Sequence, residues 1–489
     1  MEILSLTWTD IQSNLMQTNR SAFVTLISVF FFWGFVAASN DILIPVFKER
    51  LNLEQWQSQM ISFAFYVAYT VGSIIYVLAS KFYGGDLLNK IGYKNGIFLG
   101  LIISAFGTLL FYPAAQLVSF PLMITGLFIV ALGFSLQQTA ANPLAIVIGN
   151  PSTGAQRLSL AGGINNVGTT IGPLVVGYAI FGSVSDHNAL TDLSAVKFPY
   201  LILGLAFVIV AILFKFSSLP NRIDIPLGDT EETGEQKSIF SYPQLWMGMI
   251  AIFVYVGVEV STASNLPDYM KQHACIPTEE AAPYISLFWA SLMIGRWTSS
   301  VGAFNLSKQM QMVLRIVIPY AAFGVFLLAN IIAGHELTPF YPYSFVILIM
   351  IGADMLSKGN PGRQLLIYSA CGITALIIGM LTSGLISVYA FISVGLFCST
   401  LWPCIYTLAI SGLGKKTNQG SSYLIMMIMG GGFISLFQGW LAGPGVIGIN
   451  LSYIVGVVCF IYLAFYGYKI TQLLKNQGIH FDPKLKPGH

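Results

Sequence analysis

Asp41 stands in the run Phe30-Phe31-Phe32-Trp33-Gly34-Phe35-Val36-Ala37-Ala38-Ser39-Asn40-Asp41-Ile42-Leu43-Ile44-Pro45, which is long and apolar enough to lie in a bilayer. An ionised side chain at that depth is costly unless it faces protein or water, so it marks an ion or substrate path by default. The competing reading puts Asp41 at the membrane edge, because Pro45, Lys48, Glu49 and Arg50 follow closely. A second carboxylate, Glu259, ends the stretch Tyr255-Val256-Gly257-Val258-Glu259, and amides occur at Gln138, Asn142, Asn165 and Asn166 in other apolar runs. This set suits a sugar. Each hydroxyl of a monosaccharide both donates and accepts, so its site needs amides and carboxylates, with aromatic faces for the C–H surface of the ring. Trp33, Tyr66, Trp289 and Trp402 are the candidates for those faces. Polar residues in bundles also bond neighbouring helices, and single Trp and Tyr residues also pack or anchor at the interface, so every one of these positions has a plainer reading. Asp41 is the candidate cation-coupling group, for H+ or Na+. Asp354 precedes the basic turn at Lys358 and is expected to pair there.

Other chemistries find little to work with. The histidines His187, His273, His335, His480 and His489 fall in loops or the tail without paired spacing, and the five cysteines are scattered, which argues against a metal site or a disulfide framework. No phosphate-cradling Gly-Lys-Ser loop occurs. The reading is therefore a non-enzyme without cofactors, whose partners are a small-molecule sugar and the lipid bilayer, with no nucleic acid, working as a monomer.

The elements that must position these residues are membrane helices. Of 489 residues 55% are hydrophobic and 9% charged, with mean hydropathy +0.73, against about 25% charged in soluble domains. Apolar segments of roughly 20 residues place about six spans before residue 219 and about eight after residue 245. A polar stretch at 220–244, with Asp229, Glu231, Glu232 and Glu235, separates them as a cytoplasmic linker. With about 14 spans and both termini cytoplasmic, nineteen of the 23 Lys and Arg, Arg296 among them, fall on the inner side, as the positive-inside rule asks. The first twenty residues carry Glu2 and Asp10 before any basic residue, unlike a secretory signal, and read as a short cytoplasmic lead.

An internal repeat divides the chain. Trp33-Gly34 followed by Pro45 is echoed by Val256-Gly257 followed by Pro267. Asn142-Pro143, a turn, then Gly162-Gly163 is echoed by Trp402-Pro403, a turn, then Gly430-Gly431-Gly432. Matched proline and glycine interruptions in two halves point to a substrate site at the midplane of a transporter. The second echo aligns segments four and five with the third- and second-last, so an extra helix pair must lie near 311–356. The expected fold is an all-α polytopic membrane protein of two pseudo-symmetric six-helix halves, 1–219 and 245–489, with that pair added to the second.

The connection Gly85-Asp86-Leu87-Leu88-Asn89-Lys90-Ile91-Gly92-Tyr93-Lys94 resembles the cytoplasmic signature of the major facilitator superfamily, with Asn89 where that family usually has an acid. Together with Ser39-Asn40-Asp41-Ile42-Leu43-Ile44-Pro45, Leu136-Gln137-Gln138-Thr139-Ala140-Ala141-Asn142-Pro143 and Gly420-Ser421-Ser422 running to Gly430-Gly431-Gly432, it is similar to the fucose:proton symporter and glucose/galactose permease branch. The resemblance implies a cation-coupled monosaccharide symporter importing a hexose by alternating access, in a bacterial inner membrane. It implies proton coupling at Asp41. Fucose symporters have a glutamate where this chain has Gln138, which does not titrate, and the glucose/galactose members share a carboxylate at the position of Glu259. A drug:proton antiporter is the alternative, on Gly168-Thr169-Thr170-Ile171-Gly172-Pro173, although Val176 interrupts that signature. A membrane sensor descended from a transporter is a third class.

Overall fold

In lipid, backbone N–H and C=O groups must be satisfied within the chain, so apolar runs of this length become helices. The structure, a computed structural model, describes residues 22–36, 55–149, 153–181, 194–217, 219, 221, 238–276, 280–304, 306–443 and 445–479. Asp41 and residues 222–237 of the linker lie outside them. The described elements are helical, without strands, and eleven of them are long and apolar enough to cross a bilayer. The earlier part of the chain forms α1 (Ala22–Val36), α2 (Gln55–Phe82), α3 (Tyr93–Leu109), α4 (Phe120–Val147), α5 (Gly154–Phe181) and α6 (Ser194–Lys215). The later part forms α7 (Pro243–His273), α8 (Ala282–Ser300), α9 (Lys308–Ile332), α10 (Tyr343–Ser357), α11 (Pro361–Leu381), α12 (Gly384–Ile410), α13 (Gly414–Leu441) and α14 (Ile454–Asn476).

Local sequence sets their ends. Ser307 accepts the N–H of Met310 at 3.2 Å to start α9, and Asn360 accepts that of Arg363 at 3.0 Å to start α11, meeting donors that have no helical partner. Between them α10 stops where Lys358 and Gly359 turn left-handed, with φ of 52° and 72°. Buried Arg157 in α5 donates through Nε to the Ala145 carbonyl at 3.0 Å and through Nη2 to that of Ile146, closing the C-terminal end of α4 with a cation where the helix dipole favours one.

Packing follows a recurring plan. α3 packs along α4 and α6, and α2 along α4; α11 packs along α12 and α14, and α8 along α12. α9 lies along α8, with only 22% of its apolar window buried. The echo around Gly34 and Gly257 has a steric cause. A Cβ added at Gly34 would overlap the carbonyl oxygen of Asn165 in α5, and one at Gly168 that of Phe31 in α1. The crossing of α7 and α13 repeats this, Gly430 against the carbonyl of Phe253 and Gly257 against the side chain of Ile434. Small residues let helix backbones approach closely where lipid supplies no hydrophobic drive between helices.

At one end of the bundle the start of α13 is zipped to α2, α4 and the turn after α2. Asp86 accepts from Asn418 Nδ2 at 3.1 Å, from the Asn89 N–H at 3.0 Å and from the Tyr76 hydroxyl at 3.0 Å. The Tyr93 hydroxyl donates to Asn418 Oδ1 at 2.8 Å, Ser421 Oγ to the Thr139 carbonyl at 2.9 Å, and Ser422 Oγ to that of Ser73 at 3.2 Å. Asn89, standing in place of an acid, accepts from Asn418 Nδ2 at 2.9 Å. Burial pushes the Asp86 carboxyl above its usual range, against the opposing pull of its hydrogen bonds from Asn418, Asn89 and Tyr76. The zipped state therefore holds the proton more tightly than an unzipped, hydrated one. Its share of stability is present at low pH and is lost as pH rises through the raised value. Spin labels at Tyr83 and Lys415 should show a growing short-distance fraction as pH falls toward the carboxylate range, and Asp86→Asn should flatten that response. An unchanged response in Asp86→Asn would assign it to another group.

The expected pairing of Asp354 with Lys358 is corrected. Asp354, 2% exposed, accepts from Arg315 Nη1 of α9 at 2.5 Å, an ion pair joining α9 to α10. Lys358 has already left the helix in the left-handed turn and is exposed. Breaking a buried pair by removing one partner costs about 3–5 kcal/mol, whereas replacing both with apolar residues is often neutral. Asp354→Ala should lower unfolding stability by about 3 kcal/mol, at the low end because Arg315 keeps 15% exposure. Arg315→Leu with Asp354→Leu should recover most of it in the same detergent-unfolding series. A loss in the double variant equal to the sum of the two single losses would show that the pair contributes nothing.

Candidate functional site

The candidate substrate-binding residues singled out from sequence converge. A cavity of ≈ 760 Å³ lies between the earlier and later helices, and Trp33, Tyr66, Gln138, Asn142, Asn165, Asn166, Glu259, Trp289 and Trp402 all line it. Asp41, the candidate coupling group, lies outside the described residues. The proline interruptions matter here, because Pro143 and Pro267 sit inside α4 and α7, and Trp402-Pro403 follows the break in α12 at Ser399 and Thr400.

The cavity wall is held by bonds that use some of these groups and leave others available. Trp33 Nε1 donates to Gln137 Oε1, and Gln137 Nε2 donates to Ser104 Oγ at 3.0 Å, so Trp33 is fixed as a buried face with its N–H spent. Gln138, one residue on, turns about 100° around the helix and presents its amide to the cavity, where Nε2 donates to the Tyr69 hydroxyl at 3.1 Å. Asn165 Nδ2 donates to the Phe30 carbonyl at 2.9 Å, tying α5 to α1. The buried Nδ2 of Asn142, on the cavity wall, has the Tyr406 hydroxyl near it but no hydrogen bond of ordinary geometry. Such a group is destabilising unless water or a ligand meets it.

Glu259 Oε2 accepts the hydroxyl proton of Tyr255, one helical turn earlier. The charge of Arg296 acts on Glu259 from α8. Arg296 corrects the sequence reading, which counted it among inner-loop charges; it lies inside α8 and lines the cavity. Its Nη1 donates to Asn166 Oδ1 at 2.7 Å and its Nε to the Ser399 carbonyl at 3.0 Å. Asn166 Nδ2 in turn reaches the Trp289 carbonyl at 3.4 Å, so Asn166 is largely committed to crosslinking α5 and α8. Trp402 stacks on Tyr406, with ring centroids 5.9 Å apart, and tilts against Tyr255 at 6.1 Å. Tyr69, Tyr255, Arg296, Thr169 and Thr170 join the lining without having been picked out. Tyr255 had a usable signal, since it precedes Glu259 by four residues on one helix face. Arg296 had none, because a basic residue near a helix end reads as a loop charge.

A carboxylate, a guanidinium, amides and aromatic faces thus surround one central space between membrane-crossing helices, the build of a solute transporter. The sequence profile of the Major Facilitator Superfamily matches residues 29–357, and the chain belongs to that family. A glucose/galactose transporter of Brucella abortus biovar 1 (strain 9-941) is 33% identical over 449 residues, covering 91% of this chain and 93% of that one. An L-fucose-proton symporter of Escherichia coli (strain K12) is 27% identical over 458 residues, covering 90% of each. The crystal structure of the transporter FucP, described as being in the outward conformation, superposes with a TM-score of 0.69 at 25% identity, covering 92% of this chain and 98% of that one.

Proposed function

We propose that this protein is a proton-coupled monosaccharide symporter that imports a hexose of the glucose, galactose or fucose type by alternating access. The observation that carries this reading is the lining: Gln138, Asn142 and Glu259 offer hydroxyl partners, and Trp289 and Trp402 offer ring faces, in one cavity. The relatives named above, matched over nine-tenths of the chain, are sugar transporters, which favours this reading over a drug:proton antiporter. Gln138, Asn142, Asn165 and Glu259 take the hydroxyls, Asn166 holds the wall between α5 and α8, and Trp33, Tyr66, Trp289 and Trp402 take the ring or frame it. Asp41 carries the coupling proton, with sodium the alternative cation. Its neutralisation lets the loaded carrier reorient, so that sugar and cation favour one another by reciprocal linkage.

In this reading 1–219 and 245–489 are the two halves, and 220–244 links them on the cytoplasmic side. α11 takes the place in the later half that α3 takes in the earlier, each packed between two counterparts, so α9 and α10 are the additional pair and the spans number fourteen. The Asp86–Asn418 zipper then closes the cytoplasmic end, with both termini on that side of a bacterial inner membrane and the monomer as the working unit. Purified protein in liposomes should accumulate at least one labelled sugar among D-glucose, D-galactose and L-fucose under an inward proton gradient, and lose accumulation with a protonophore. Accumulation driven by sodium alone would reassign the cation. No uptake of any of them would overturn the sugar reading.

A further inference from the structure

The helix without a counterpart reaches the cavity. Ala329, Asn330, Ala333 and His335, at the C-terminal end of α9, line it opposite Ser286 and Trp289 of α8. This is the end away from the Asp86–Asn418 zipper. Asn330 is 3% exposed and its Nδ2 donates to the Phe326 carbonyl at 3.0 Å, which turns Oδ1 toward His335 Nδ1, 2.9 Å away. An amide oxygen only accepts, so Nδ1 carries the hydrogen and Nε2 of the neutral ring is left as an acceptor. The backbone is fixed as well. Gly334 is left-handed at φ 77°, and the His335 N–H donates to the Asn330 carbonyl at 3.0 Å, the six-residue closure that ends many helices. Trp289, which lines the same cavity, presents an aromatic surface, 39% exposed, and Tyr284, Glu280 and Glu336 are the other titratable groups of this rim. A cavity of ≈ 760 Å³ is in the upper part of the roughly 300–1,000 Å³ range that takes whole drug-sized ligands, so one monosaccharide leaves part of it unfilled.

We propose that the Asn330–His335 pair forms the polar half of a second docking station for a monosaccharide at the outer rim of the cavity, sharing Trp289 with the central site, where sugar is held before it moves to the group around Glu259. The station rests on the sugar-symporter reading. The ring nitrogen accepts a sugar hydroxyl, the indole covers the C–H face, and α9 is the element that supplies the polar half.

The test uses the full chain in liposomes. His335→Ala should raise KM for inward transport about fivefold, and His335→Gln, whose amide oxygen again accepts, should return it most of the way. In a Cys275→Ser background, which removes the exposed cysteine, Ala333→Cys, on the cavity wall two residues before His335, should react with an impermeant methanethiosulfonate, and saturating sugar should slow that reaction at least fivefold. Adding Glu259→Gln separates the stations: protection of the introduced thiol should persist at the same sugar concentration although central binding is weakened. Wild-type KM in His335→Ala, labelling indifferent to sugar, or protection lost together with Glu259 would each overturn the second station while leaving the symporter reading intact. Absence of any sugar uptake by the wild type would overturn both.

Discussion

Glu259→Gln should weaken sugar binding about tenfold to a hundredfold, because a hydrogen bond to a charged group contributes about 1.5–3 kcal/mol and each 1.4 kcal/mol is a factor of ten. The variant keeps the shape of the side chain and, with its one amide oxygen, the bond from Tyr255, while the second carboxylate oxygen offered to sugar hydroxyls becomes an NH2 that only donates. It also removes the negative charge that answers Arg296, whose remaining contacts to Asn166 and Ser399 are neutral. Titration calorimetry on purified protein would read the affinity, and Tyr255→Phe would serve as the comparison that loses the orienting bond but not the charge. The pH dependence of the residual transport should match the wild type. Spared affinity with a shifted pH dependence would move Glu259 from the sugar to the coupling ion.

Asp41→Asn should abolish accumulation against a gradient while sugar exchange across the membrane survives. An amide does not cycle between charged and neutral forms, so the carrier reorients without reference to the proton gradient. Concentrative uptake and counterflow measured in the same vesicles separate the two, with the accumulation ratio falling to about one as the linkage between ion and sugar is lost. Full accumulation by the variant would end the coupling role of Asp41.

Most of the bundle was legible in the sequence, since a bilayer demands long apolar runs and the runs are there. The echo of Trp402-Pro403 and Gly430 ties the last helices to the first half and leaves 311–356 unmatched, the stretch that α9 and most of α10 occupy, and the proposal of an additional pair rests on it. Side-chain phase was less accessible. Gln137 and Gln138 are adjacent and chemically identical, and only the packing of α4 against α3 decides that the first bonds Ser104 and Trp33 while the second faces the cavity. The partner of Asp354 is 39 residues away in sequence, so Lys358, four residues off, was the natural candidate, and a left-handed turn removed it. Glu259 and the amides were readable by type, but their division between wall and cavity was not. Asn166 shows this, since its spacing is that of a ligand and its bonds are those of a crosslink.

The hairpin of α9 and α10 bears on how such a chain is made. On the fourteen-span reading proposed above, it leaves one face of the membrane and comes back to the same face, so every later segment meets the insertion machinery with its flanking charges on the side they would have had without it. Growth by one helix would reverse all of them. The hairpin also brings its own lock, Arg315 to Asp354, and rests chiefly on α8. A unit of this kind can be acquired or discarded during descent without rewriting the topology of its neighbours, and a copy excised from Lys308 to Asn360 would leave the remaining helices in their original sense.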